Sequence, residues 1–195
     1  VLRRVAETLA RGIETGTLDT REAALNQDAM TAAAVEAKVS LVNAMNEVHS
    51  VLDADQREEL VLELRARHEQ ARGEAGGAAR EERRSGGISK VAAKLGLNEQ
   101  QTKAIRDEVQ ALGDKAFPDR KAKREAWEAK MTALGDAFMG DDFDAADFDL
   151  GGGAEEAIAS FTSTAKQAID LSGRVLDPSQ RALAASLLRS RAAAL

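Results

Sequence analysis

The chain of 195 residues contains no cysteine, no tyrosine and only two prolines, and aromatic residues make up 3% of it. Without cysteine there is no disulfide framework, no thiolate metal site and no cysteine nucleophile. No apolar run approaches the roughly 20 residues of a membrane-spanning helix. No alternating run of apolar and polar residues is long enough to indicate a sheet. These absences favour a helical protein without a membrane span.

Alanine, leucine, glutamate and arginine are the most abundant residues, and all four favour helix. We therefore predict an all-α protein. The net charge of −6 is distributed as −5 over residues 1–75, +4 over 76–130 and −5 over 131–195. An acidic chain with a mildly basic middle is a poor ligand for nucleic acid, so we predict no nucleic-acid partner.

One five-residue pattern occurs three times: a leucine, an Asp or Asn, two variable residues and a glutamine. Asp and Asn are strong helix N-caps, because their side chains accept hydrogen bonds from free backbone N–H groups of the first turn. The glutamine can bond back to the N–H of the cap, which completes a capping box. The pattern therefore predicts three helix starts, at Leu52, Asp53 and Gln56, at Leu97, Asn98 and Gln101, and at Leu176, Asp177 and Gln180.

The segments around this pattern also repeat, which predicts an internal duplication. An apolar stripe with the spacing i, i+4, i+7, i+11 occurs twice in register, at Leu2, Ala6, Leu9 and Ile13 and again at Trp127, Met131, Leu134 and Phe138. The second repeat has the sequence of four helices, over about 98–112, 119–139, 154–175 and 177–192. The first repeat has counterparts of the last three, over about 2–14, 31–51 and 53–72, and a counterpart of the first would lie before Val1.

We therefore expect seven or eight helices in two units, 1–72 and 88–195, joined by a glycine-rich linker over 73–87. Two arrangements are open. The units could pack as an internal pseudo-dimer that forms a curved cradle, and the chain would then be monomeric. Alternatively, they could stay separate on the linker, with each unit pairing in a homodimer.

The sequence KLGLNEQQTKAIRDEV resembles the first motif of the Spy/CpxP family of periplasmic proteins, whose signature is Leu-Thr-x-x-Gln. A four-helix unit with that motif at the start of its first and last helices is the plan of the family. The stretch FDAADF is similar to the family's loop before helix three. Here Asp or Asn replaces the threonine, which keeps the capping role. The resemblance covers residues 88–192 in full and the last three helices over 1–72.

This resemblance implies an ATP-independent chaperone of the bacterial periplasm, which binds unfolded or misfolded proteins and suppresses their aggregation. Its signal segment would lie outside the chain shown. The alternative is an envelope-stress or metal-responsive sensor domain. We expect no enzyme activity, because His49 and His68 suggest no catalytic arrangement and the chain has no phosphate-binding glycine motif. We predict no cofactor and no metal site, because cysteine is absent and histidine is scarce.

A chaperone that releases its clients without ATP needs an amphiphilic surface. Arginine beside leucine provides one, because the arginine stem can lie on apolar surface while its charged head stays in water. Candidates for this role follow two of the three motif glutamines, although an ordinary core position explains each leucine equally well. The candidates are Arg57, Leu60, Leu64, Arg65, Arg181, Leu187, Leu188 and Arg189.

Overall fold

A computed structural model describes the backbone of residues 1–74, 77–116 and 120–194 and the side chains of 1–71, 86–113, 121–151 and 153–194. Over this backbone the chain forms nine α-helices and no strand, so the all-α prediction is confirmed. The helices are α1 (Leu2–Thr15), α2 (Thr20–Val51), α3 (Ala54–Glu74), α4 (Gly77–Leu95), α5 (Glu99–Ala116), α6 (Arg120–Met139), α7 (Gly152–Ala159), α8 (Phe161–Val175) and α9 (Pro178–Ala193). None of these helices, as far as they are described, combines the length and the hydropathy that a membrane crossing requires.

All three predicted helix starts are capping boxes in the structure. In each box the backbone N–H of the glutamine donates to the Asp or Asn side chain at 2.9 Å. The backbone N–H of the cap donates to the glutamine Oε1 at 3.0–3.1 Å. The sequence pattern thus forms the capping box that its Asp or Asn and its glutamine predict. The capped helices are α3 with Asp53 and Gln56, α5 with Asn98 and Gln101, and α9 with Asp177 and Gln180.

Replacing Asp53 with alanine should lower the free energy of unfolding by about 0.5–2 kcal/mol, because the first turn of α3 loses its cap. Replacing Gln56 with alanine should cost less, because only the return bond of the box is lost. Urea titrations followed by circular dichroism measure both effects. An unchanged unfolding midpoint for the Asp53 variant would show that the cap does not stabilise α3.

The predicted linker over 73–87 is wrong for most of its length. Helix α3 continues to Glu74, and α4 runs from Gly77 to Leu95. Residues 75 and 76 lie outside the described backbone. The reason is compositional, because the stretch AAREERR consists of strong helix formers whose propensity outweighs the cost of the nearby glycines.

The helices also exceed the predicted number for a second reason. The segment 154–175, expected as one helix, divides at Ser160 into α7 and α8.

Helix α2 begins at Thr20 and not near residue 31. The side chain of Asp19 accepts a hydrogen bond from the backbone N–H of Glu22 at 2.9 Å, so a further cap starts this helix earlier than the sequence analysis placed it.

By its internal contacts the chain divides into two compact units, and both contain segments of both predicted repeats. Unit 1 contains Val1–Ala34, Arg84–Ala116 and Gly153–Leu195. Unit 2 contains Val35–Arg83 and Phe117–Gly152. The expected succession of 1–72 and 88–195 therefore does not describe the compact units.

In terms of the predicted duplication, this difference is an exchange of helices between the two predicted repeats. In unit 1, α1 packs on α9, and in unit 2, α3 packs on α6. The predicted duplication makes α1 the counterpart of α6 and α3 the counterpart of α9. The second helix of each repeat thus packs on the fourth helix of the other, as in a reciprocal domain swap. The predicted cradle depends on how the two units are placed relative to each other, and it stays a prediction.

Unit 1 has a core of small residues, which allows its helices to approach closely. Ala10, Ala23 and Ala185 are fully buried. Charged side chains join the helices at the edge of this core, where Arg189 of α9 bonds Glu7 and Glu14 of α1 at 2.6–3.2 Å. These hydrogen bonds hold the pKa of both carboxyls below its ordinary value.

Candidate functional site

Unit 2 is built on the close approach of α3 and α6, and a glycine makes that approach possible. A Cβ atom on Gly135 of α6 would lie 2.9 Å from Arg65 Nη2 and 3.2 Å from Val61 Cγ1. The same arginine donates to the backbone oxygen of Thr132 at 3.1 Å and to Asp136 Oδ1 at 2.7 Å. Arg65 therefore fixes α3 against α6 at the position where the glycine leaves room for it.

An open groove with a volume of about 730 Å³ lies in this unit between α2, α3 and α6. This volume is in the range of small-molecule and peptide pockets. Trp127, the one tryptophan of the chain, is 52% exposed at the groove. The lining is mainly apolar and consists of Ala44, Met45 and Val48 from α2, Leu60, Val61 and Leu64 from α3, and Trp127, Met131, Leu134 and Phe138 from α6.

Polar side chains accompany this apolar lining. Arg65, His68, Glu69 and Glu128 also line the groove. The rings of His68 and Trp127 are tilted towards each other with centroids 6.4 Å apart. The lining thus combines apolar and charged groups of both signs, which suits an amphiphilic ligand more than a purely apolar one.

A buried arginine organises the segment of unit 2 that follows α6. Arg57 is 6% exposed, its Nη1 lies 2.7 Å from His49 Nε2, and its Nη2 donates to Asp141 Oδ1 at 2.5 Å. The ring of His49 packs on Phe138 and Phe143, with centroids 5.3 and 5.0 Å away. Since Phe138 also lines the groove, this cluster supports the end of the groove formed by α6.

The acidic loop after α6 has a structural role in unit 2. Asn46 of α2 donates to Asp144 Oδ1 at 2.9 Å and accepts from the backbone N–H of Ala145 at 2.8 Å. Lys130 donates to Asp149 Oδ2 at 3.0 Å. The backbone N–H of residue 146 and the Asn46 amide lower the pKa of Asp144, and hydrogen bonds led by Lys130 lower that of Asp149. These carboxylates hold the loop to the neighbouring helices.

Metal ligation has no support in the described part of the chain. Among those residues there is no group of three or more His, Asp or Glu side chains that could hold a metal ion.

The structure separates the eight residues predicted to contact clients. Leu60, Leu64 and Arg65 line the groove of unit 2, although the head of Arg65 is bonded to α6. The prediction is wrong for Arg57, whose guanidinium is buried and bonded inside the unit and therefore cannot face a client.

The other four candidates belong to unit 1. Arg189 is bonded to two glutamates of α1, and Arg181 Nη1 donates to the backbone oxygen of Leu176 at 3.0 Å. Leu187 and Leu188 are half-buried. Arg189 therefore presents no free charged head, and the eight candidates do not share one unit.

Sequence reasoning missed several groove residues, namely Met45, Val48, His68, Trp127 and Met131. Trp127 and Met131 had been assigned to an apolar stripe, and an apolar stripe does not distinguish a core from an open groove. The one available signal was Trp127, because a single tryptophan in a chain with 3% aromatic residues stands out.

Comparison with family models, with curated proteins and with solved structures gives no match for the chain. The Spy/CpxP resemblance therefore depends on the three short motifs and their order. Function has to be argued from the groove itself.

Proposed function

We propose that the chain is an ATP-independent chaperone that holds apolar segments of unfolded or misfolded proteins in the groove of unit 2. The observation that carries the proposal is this open groove, whose lining is mainly apolar and whose tryptophan is exposed. Folding intermediates expose the apolar segments that such a groove would bind. The bacterial cell envelope is the proposed compartment, on the Spy/CpxP resemblance alone.

The distribution of exposed apolar side chains supports unit 2 as the binding unit. Of the 13 large hydrophobic residues that are exposed in the described part of the chain, eight belong to unit 2. Three of the eight, Val48, Leu64 and Trp127, line the groove, and contiguous exposed apolar surface commonly marks an interaction site. The eight are Val35, Val39, Leu41, Val48, Val51, Leu62, Leu64 and Trp127.

The chemistry of the groove favours clients of varied sequence over one fixed ligand. Met45 and Met131 have flexible, polarizable side chains that adapt to different apolar partners. Polar groups at the groove, among them His68 and Glu69, can contact a backbone or a charged side chain of the client. Binding of this kind is weak and reversible, so that release needs no ATP.

The decisive variant is Leu64→Asp, with Leu62→Asp as its matched control. Both leucines lie on α3 and are similarly exposed, at 55% for Leu64 and 53% for Leu62, but only Leu64 lines the groove. A carboxylate in the groove would have to lose water when an apolar segment binds. We expect Leu64→Asp to weaken the suppression of aggregation about fivefold or more, and Leu62→Asp to leave it close to wild type.

Light scattering of a chemically denatured client, diluted into buffer without ATP, measures this suppression. Thermal melts of both variants check that the fold is intact. Equal losses for the two variants would show that exposed leucine in general, and not the groove, binds the client. No suppression by the wild-type chain at several-fold excess would reject the chaperone and favour the sensor domain.

A further inference from the structure

The groove of unit 2 has two different ends, because α3 and α6 run antiparallel along it. A Cβ atom on Gly135 would lie 3.2 Å from Val61 Cγ1, and further along α3 the rings of His68 and Trp127 have centroids 6.4 Å apart. Residue numbers therefore rise along α3 as they fall along α6. With a rise of about 1.5 Å per residue, the levels of Val61 and His68 lie about 10 Å apart along the groove.

One end of the groove, here called the Val61 end, is apolar and closed. Leu60 precedes Val61, and Phe138 follows Gly135 by about one turn of α6, so both belong to this end, and both line the groove. Val61 and Phe138 are buried, and Leu60 is half-buried. This end therefore suits an apolar side chain, which loses contact with water when it enters.

The other end, here called the Trp127 end, is open and carries carboxylates. Trp127 is exposed, and Glu69 and Glu128, which follow His68 and Trp127 in the sequence, both line the groove. Within the part of the chain that the structure describes, Glu69 forms no ion pair. A carboxylate without a cationic partner is thus available beside an exposed tryptophan ring.

The basic side chains near the groove already have partners. Arg65, the arginine of the lining, donates to Asp136 at 2.7 Å. Lys121, Lys123 and Arg124, at the start of α6, do not line the groove. Lys121 and Arg124 lie 3.7 and 3.6 Å from glutamates one turn further on, and Lys123 has a partner as well. The charge that the groove itself offers to a ligand is therefore negative.

The net charge of the whole unit has the same sign. Unit 2 contains 12 lysines and arginines and 20 aspartates and glutamates, which gives a net charge of −8. Unit 1 contains 15 and 13, which gives +2. The groove thus belongs to the acidic unit, and the field of such a unit attracts cationic segments before they make contact.

We propose that the groove selects client segments in which an apolar side chain and a lysine or arginine lie about 10 Å apart. In an extended chain, with about 3.3 Å per residue, this distance is three residues. The apolar side chain would lie at the Val61 end, and the cation would lie against the Trp127 ring, beside Glu69. This inference rests on the proposed function and adds a class of client to it.

The fluorescence of the full chain provides the test, because Trp127 is its one tryptophan and tyrosine is absent. Three capped peptides, titrated to about 1 mM, have Lys, Gln or Glu at the first position of x-Ser-Gly-Leu-Phe-Leu. We expect the Lys peptide to bind about fivefold more tightly than the Glu peptide, or better, with the Gln peptide between them. The ratio of the Lys and Glu affinities should shrink as salt is added.

The variant Glu69→Gln, with Glu63→Gln as its matched control, assigns this preference to the groove. Both glutamates are exposed on α3, and both changes remove one negative charge, but only Glu69 lines the groove. We expect Glu69→Gln to lower the ratio of the Lys and Glu affinities about twofold or more, and Glu63→Gln to leave it close to wild type. Equal ratios in the two variants would overturn the proposal, because the net charge of the unit would then suffice.

The same peptides separate this inference from the chaperone function. If the chain suppresses the aggregation of a denatured client but binds the three peptides equally, or binds none of them, the cationic preference is wrong and the chaperone stands. If the chain binds no peptide and suppresses no aggregation, both proposals are wrong. Tighter binding of the Glu peptide would overturn the assignment of the Trp127 end to a cation.

Discussion

Replacing Gly12 with valine should lower the free energy of unfolding by about 1–3 kcal/mol, because the new side chain would overpack unit 1. A Cβ atom at this position would lie 2.3 Å from Ile169 Cδ1 and 3.2 Å from its Cγ1. Ile169 is almost fully buried, so it has no open space into which to turn. Helix α1 would have to move away from α8, which it contacts at this point.

Calorimetry should show the change as a fall in the melting temperature of about 2–12 °C for a protein of this size. Gly87→Ala is the matched control, because Gly87 also lies inside a helix but a Cβ there would meet no atom within 4 Å. An alanine at an open helical position should stabilise by up to about 1 kcal/mol. A Gly12→Val variant that melts at the wild-type temperature would contradict the packing of α1 on α8.

The local structure of the chain could be predicted from its sequence, because short-range chemistry determines it. Each of the three Leu-(Asp/Asn)-x-x-Gln motifs forms a capping box, and α3, α5 and α9 start where the pattern places them. These features need only the spacing of neighbouring residues.

The pairing of the helices could not be predicted, because an amphipathic stripe shows that a face is buried but not against which helix. The first-repeat stripe also captured only part of the buried face of α1, because Ala6 is buried but Leu9 and Ile13 are half-buried. Leu2 is exposed, and Val5, Thr8 and Gly12 are buried against the rest of unit 1. Threonine and glycine can form this contact because small residues let helices approach closely, and a hydropathy pattern does not score that property.

The candidate site shows the same limit at the level of single residues. The sequence placed Leu60 and Leu64 on one amphiphilic face of α3, and both line the groove. It placed Arg57 on that face as well, because arginine is rarely buried without a partner. The partners are His49 and Asp141, 8 and 84 residues away along the chain, and no local pattern indicates them.

Reversing the charge of Arg57 to glutamate should therefore disrupt unit 2 and not merely alter its surface. We expect a loss of about 3–5 kcal/mol, the usual effect of leaving a buried charge without a partner. The shorter glutamate cannot follow the path of the arginine stem, and its carboxylate would add a second negative charge near Asp141. Urea unfolding measures the loss, and the signal of Trp127 in unit 2 reports on it.

Two further variants separate burial from charge. Arg57→Met keeps the apolar stem and leaves Asp141, whose side chain is 90% exposed, to water, so it should cost only about 1–3 kcal/mol for the lost donor to His49. Arg67→Glu, also on α3, reverses a side chain that is 72% exposed and should change stability by about 0.5 kcal/mol or less. If Arg57→Glu were as mild as Arg67→Glu, Arg57 would face solvent and the original expectation of a client-contacting arginine would be restored. If Arg57→Met were as damaging as Arg57→Glu, the loss would come from the missing guanidinium and not from the introduced carboxylate. The guanidinium itself would then hold the segment after α6 in place.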